Sequence, residues 1–299
     1  MKFYHYLSII LFLISCNNQQ PNENKFLADF DNAIAPHPLC NSMFCTLDGK
    51  SELILLYGSS INSKKQIKYQ IQPVFVVDSA RKFSATKKDL QVAISDLNNA
   101  FKTSKITFHL LTKIDTVFAE YSIDNIYDHI KDFIKTSEKI EKENTINLYI
   151  IKHYERLNGV TPVLTENFSN YPSAKINRLF ISDIALKNHA TINHEFGHFF
   201  GLQHTFGNSP MEASTLEKTD ASNCKTEGDF ICDTPADPCG YIDCCNCLYI
   251  GLSDKKKHDY QPHINNYMSY YKSECKNTFT KEQLSGIHKF AISYRNYLK

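Results

Sequence analysis

The chain lacks several features that would each point to a different kind of protein. Across 299 residues the charges nearly cancel, 33 Lys+Arg against 32 Asp+Glu for a net +1. No basic run is interleaved with aromatics, so the electrostatic footprint of a nucleic-acid binder is missing. Lysine runs such as Lys64-Lys65 and Lys255-Lys256-Lys257 read as solvated surface. No apolar stretch approaches the ~20 residues needed to cross a bilayer as a helix, and no internal repeat is visible. The paired CxxC units of structural zinc sites are also missing from the ten cysteines, which weighs against a second zinc held by Cys239, Cys244, Cys245 and Cys247.

What is present is concentrated in eleven residues, His194-Glu195-Phe196-Gly197-His198-Phe199-Phe200-Gly201-Leu202-Gln203-His204. On a helix, His194 and His198 stand four positions apart and project from one face toward one point. Gly201 permits a sharp turn after the helix, and that turn predicts the return of His204 as a third nitrogen ligand. Three protein ligands leave a fourth position for water, the arrangement of catalytic rather than structural zinc. Glu195 lies beside the ligands and is the expected general base for attack by the zinc-bound water on a peptide carbonyl. This HExxHxxGxxH pattern is expected by chance in about one shuffled chain in thirty thousand of this composition, so a fortuitous cluster of histidines is a poor explanation.

HExxHxxGxxH followed by a distant Met-turn resembles the metzincin metalloproteases. Asn266-Tyr267-Met268-Ser269-Tyr270 matches the Met-turn, and Gly228-Asp229-Phe230-Ile231-Cys232-Asp233-Thr234-Pro235 resembles the GDxxxDTP segment of the pappalysins, relatives of pregnancy-associated plasma protein A. The resemblance runs from about Ile67 to Tyr294. It implies a zinc endopeptidase acting on proteins or peptides, with Met268 as an apolar base beneath the imidazoles and Tyr270 near the metal or the oxyanion. It associates Asp229, Asp233 and Thr234 with a possible calcium ion, and hard cations do favour such oxygen ligands. It pairs Cys275 with the 239–247 cluster. Glu274, six residues past Met268, matches an acidic position at the base of the pocket for the residue after the scissile bond, which implies a preference for Arg or Lys there. Two other classes are an inactive binding lipoprotein on this scaffold and a non-peptidase zinc amidohydrolase; the intact Glu195 and three His speak against the first.

The expected fold class is α+β or α/β: a mixed twisted sheet with two or three helices above a zinc cleft, over a loop-rich lower subdomain linked by disulfides. Strands are predicted at Val74 to Val77, Ile106 to Leu111, Ile146 to Ile151 and Leu179 to Ser182. Thr86 and Asp89 predict a capping box opening a helix with Leu90, Ile94, Leu97 and Phe101 on one stripe. A second helix is expected over Phe133 to Lys142, and the zinc helix from an N-cap at Asn188, burying Ile192, Phe196 and Phe199. Disulfide candidates are Cys224, Cys232, Cys239, Cys244, Cys245, Cys247 and Cys275.

Residues 1–15 read as an export signal. Leu13-Ile14-Ser15-Cys16 resembles the lipobox of bacterial lipoproteins, in which the Cys, here Cys16, is acylated and holds the protein on a membrane surface. Residues 16–65 form a polar tether and possible pro-segment, with Cys40 and Cys45 as either a local disulfide or a latency thiolate. Residues 66–299 form the catalytic domain.

Overall fold

The structure is a computed structural model that describes residues 65–79, 84–122, 129–153, 159–160, 177–207, 215–239, 242–243, 247–251, 253–254 and 256–298. The export signal, Cys16, Cys40, Cys45, Cys244 and Cys245 lie outside the described residues.

The elements run β1 (Ile67–Val77), α1 (Lys87–Phe101), β2 (Ile106–Leu110), β3 (Asp115–Phe118), α2 (Ile130–Ser137), β4 (Ile146–Ile151), β5 (Gly159–Val160), β6 (Arg178–Ser182), α3 (His189–Phe199), β7 (Ile242–Asp243), β8 (Leu248–Tyr249) and α4 (Lys281–Tyr294). One sheet has the order β2-β1-β4-β6-β5, with β3 also on β1; every pairing is parallel except the short β5 edge. The eleven-residue β1 carries β2 along its first half and β3 along its second, on the same side. The carbonyls of Ile71 and Val77 accept bonds from Leu111 and Ala119 on that side. Odd-numbered residues of β1 therefore face it, and the missing N–H of Pro73 falls in the gap between β2 and β3, where no ladder bond is lost.

All six residues of β4, Ile-Asn-Leu-Tyr-Ile-Ile, are buried, as expected of a parallel strand covered on both faces. Ile67, Tyr69, Ile71, Ile146, Leu148 and Ile150 meet α1, α3 and α4 on one face. Val74, Val76, Tyr149, Ile151 and Phe180 meet Phe133 of α2 on the other. The capping box of α1 is present, with the Thr86 hydroxyl accepting from the Asp89 amide and the Asp89 carboxylate accepting from the Thr86 amide. Its Leu90, Ala93, Ile94, Leu97 and Phe101 are buried, each large one worth about 1.5–3 kcal/mol against leaving it in water.

Two expectations need correction. The second helix ends at Ser137 rather than Lys142, because the chain turns there and Gln72 of β1 accepts the Lys142 amide with its side chain. The C-terminal helix α4 was not anticipated as an element; it has its own capping box, Thr280 with Gln283. Below the sheet the chain is irregular, and its described residues carry two disulfides, Cys224–Cys232 and Cys247–Cys275. The second ties the β8 loop to the segment after the Met-turn, and it removes Cys247 from any thiolate zinc site. Cys239 is a free thiol, raised in pKa by its burial.

Candidate active site

Helix α3 begins where the Asn188 side chain accepts the Ala190 amide. Ile192, Phe196 and Phe199 anchor it in the core, which turns His194 and His198 toward the opposite, polar side. Gly201 then takes φ +87, and a Cβ there would meet the Phe290 ring at 2.4 Å. Both the backbone angle and the close approach require glycine at this turn. The Gly201 amide donates to His198 O and the Leu202 amide to Gly197 O, and the chain comes back with His204. The Nε2 atoms of His194 and His204 lie 3.1 and 3.0 Å from that of His198. Among the described residues these three histidines are the one group of three or more His, Cys, Asp or Glu side chains whose ligand atoms all lie within 4.8 Å of one another.

The donor chemistry fits zinc. His194 Nδ1 lies 2.6 Å from Tyr267 O and His198 Nδ1 lies 2.8 Å from Leu202 O. A carbonyl only accepts, so each Nδ1 carries the proton and each Nε2 presents its lone pair to the shared point. Burial, then the neighbouring His198, holds His194 well below its ordinary pKa, and ligation needs the neutral form. Lone pairs this close repel one another unless a cation lies between them. Tetrahedral zinc with bonds of about 2.0–2.1 Å would set its nitrogens about 3.3 Å apart, close to what is seen.

Around this centre, Glu195 is 6% exposed and stays out of the nitrogen cluster. Met268 is fully buried, and a Cβ on Gly197 would meet its sulfur at 2.4 Å, so the thioether packs against the zinc-motif helix between His194 and His198. The Asn266 side chain accepts the Met268 amide and pairs with Gln283 of the α4 cap, and Met268 O accepts the Thr205 amide next to His204. Tyr270 is half-exposed, its ring 4.4 Å from that of His204 and 4.8 Å from Phe206.

Glu274 is exposed in the short turn Ser273–Cys275 and does not line the cavity beside α3. That turn carries it outward, while Lys276, two residues on, lines the cavity. Burial holds the Lys276 ammonium down at about 8, and its charge is felt by Glu195 and His194.

The Asp229–Thr234 segment is buried and internally bonded. Asp229 Oδ1 accepts the Ile231 amide and the Thr234 hydroxyl, which itself also donates to Ile231 O. The Thr234 hydroxyl thereby helps hold Asp229 in place. Asp233 accepts the Glu282 amide at the start of α4. Left without partners are Asp229 Oδ2, Asp233 Oδ1 and both oxygens of Glu217, a residue that sequence reasoning missed because an isolated Glu carries no pattern. Burial, with Asp237 and Glu227 nearby, raises Glu217 to about 8, and burial pushes Asp229 well above the carboxylate range. Asp237, also missed, accepts from Thr205, Tyr271 and the Cys239 amide, tying the loop after His204 to the Met-turn and the cysteine segment.

A three-histidine helix-and-turn beneath a mixed sheet, with a methionine underneath, defines the metzincin type of metallopeptidase fold. A profile of the pregnancy-associated plasma protein-A family matches residues 130–291, and the chain belongs to that family. It is similar to mature mirolysin of Tannerella forsythia in complex with a cleaved peptide, with TM-score 0.53 and 20% identity over 79% of this chain and 99% of that one. Mirolysin in complex with compound 9 gives TM-score 0.51 and 19% identity, covering 75% and 91%. An extracellular metalloprotease of Sordaria macrospora is 27% identical over 210 residues, 68% of this chain and 66% of that protein. One from Colletotrichum graminicola is 31% identical over 105 residues, 35% and 31% of the two. The chain thus spans between about a third and two thirds of the length of these curated relatives.

Proposed function

We propose that this chain is an exported zinc-dependent endopeptidase. The observation that carries the reading is the convergence of three imidazoles, two with Nδ1 facing backbone carbonyls, beside a carboxylate that does not join them. His194, His198 and His204 would hold zinc, which supplies Lewis acidity toward a peptide carbonyl and toward a water. Glu195 takes a proton from the attacking water and delivers it to the leaving amine. The Tyr270 ring, against His204 at the cleft mouth, brings a phenol to the side where the oxyanion develops. Met268 keeps the floor beneath the imidazoles apolar and rigid.

Metal removal tests this reading. Dialysis against a zinc chelator should abolish cleavage of casein and of a peptide library, and one equivalent of zinc should restore it. His204→Ala should lower zinc content measured by elemental analysis. Cleavage of small amides alone, with proteins and peptides left intact, would favour an amidohydrolase instead.

Export is supported by the apolar run Leu7 to Ile14 and by relatives named as extracellular. Acylation at Cys16, from the lipobox likeness, would place the enzyme on a membrane surface. Mass spectrometry of the mature N-terminus should find a lipidated cysteine; an unmodified one would exclude the anchor. A structural calcium ion is a further part of the reading, at the Asp229, Asp233 and Thr234 segment with Glu217 beside it: Asp229 Oδ2, Asp233 Oδ1 and both Glu217 oxygens are buried without hydrogen-bond partners, the chemistry a hard cation satisfies.

A further inference from the structure

A cavity of about 390 Å³ opens beside the zinc helix, between Asn193 and His189 of α3, Asp96 of α1, and Tyr267, Ser273 and Lys276. Its lining is mostly polar, with Ala100 and Ala190 among the apolar exceptions. Its one carboxylate, Asp96, stands 3.3 Å from His189. Lys276 is the cation of this wall, and among the described residues no carboxylate lies within ion-pair distance of it. Glu195, Cys239 and Asp237 act on it only at longer range, and burial outweighs their attraction. A half-dry ammonium without a counter-ion is an unfavourable arrangement, and one that an incoming anion relieves. The Asn193 side chain, 1% exposed, has an oxygen without a partner in the same wall, so the cavity is built for polar contacts and not filled by the fold's own.

Which part of a substrate would reach it follows from the chemistry. Glu195 returns its proton to the leaving amine, so the residue contributing that nitrogen lies on the Glu195 side. Lys276 is the charged group that feels Glu195 from this cavity. We infer that Lys276 selects substrates with Asp or Glu immediately after the scissile bond, the opposite sign from that expected of Glu274. The ammonium would pair with the side-chain carboxylate, with the Ser273 hydroxyl as a second donor. Lys276 is thus a specificity-determining residue, and this inference rests on the peptidase reading above.

The test is cleavage of matched peptides carrying Glu, Asp, Gln, Leu or Arg after the scissile bond, using the purified full chain loaded with zinc. One charge-assisted bond in a partly dry pocket corresponds to roughly tenfold to a hundredfold in kcat/KM for Glu over Gln. Lys276→Met should bring that ratio to about one, Lys276→Glu should favour Arg, and Lys276→Arg should keep the acidic preference, with zinc content checked in each. The product termini from the wild type give the preference without any variant, so misfolding of a variant cannot hide the result. Equal cleavage of Glu, Gln and Leu peptides, or better cleavage of Arg, overturns the inference while leaving the peptidase reading intact. No cleavage of any peptide by the zinc-loaded chain overturns both.

Discussion

At the scale of single residues, the proposed metal ligands and the groups around them differ in how they can be read. His194, Glu195, His198, Gly201 and His204 are legible because helical period and a glycine turn fix their geometry locally. Lys276 and Glu217 are not, because what distinguishes them is burial created by segments far apart in the chain. Glu217 makes a sign-definite prediction. Its carboxyl titrates near 4.5 in a free chain and about 8 in the fold, so between those values the folded state holds a proton that the unfolded state has released. Stability is then fully present below about pH 4.5 and is lost as pH rises through 8. Calcium should offset this loss at the upper end. Melting curves from pH 5 to 9, with and without calcium, should diverge for the wild type and run together for Glu217→Gln. Divergence that persists in the variant would take the cation away from Glu217.

At the scale of elements, α1 and α3 announce themselves through Thr86, Asp89 and Asn188, whose side chains bond the first free amides. The C-terminal helix α4 hides its period because Gln283, Ser285 and His288 are polar yet buried beside Leu284, Ile287 and Phe290. It matters to the site nonetheless. Just past its end, Arg295 is buried and donates through Nε and Nη2 to Phe199 O, at 3.1 and 3.0 Å, with its guanidinium 4.1 Å over the Phe199 ring. This places a cation on the C-terminal end of the zinc helix, where the helix dipole favours it. Arg295→Met should cost about 1–3 kcal/mol, the cost of leaving that carbonyl unbonded, measured by urea unfolding of the zinc-loaded protein. A change below a few tenths of a kcal/mol would show that the helix end does not depend on it.

At the scale of the whole molecule, the sheet and its four covering helices form a scaffold that brings two distant segments together. Tyr267 accepts the proton side of His194, Met268 lies against Gly197, and Asn266 ties both to α4. The layout of sheet, zinc helix and cysteine-linked lower half was legible, since the parallel strands are apolar runs and the family likeness spans them. The cavity wall was legible only as a segment: the turn at Ser273–Cys275 leaves Glu274 exposed, while Lys276 lines the cavity. The central claim, that this assembly hydrolyses peptide bonds with Glu195 as the proton carrier, is tested most directly by comparing the zinc-loaded wild type with Glu195→Ala on one peptide library. Elemental analysis of both samples completes the comparison. The account predicts equal zinc content, with cleavage in the wild type and a loss of at least about a hundredfold in the variant. Undiminished cleavage by a fully metallated Glu195→Ala would contradict it.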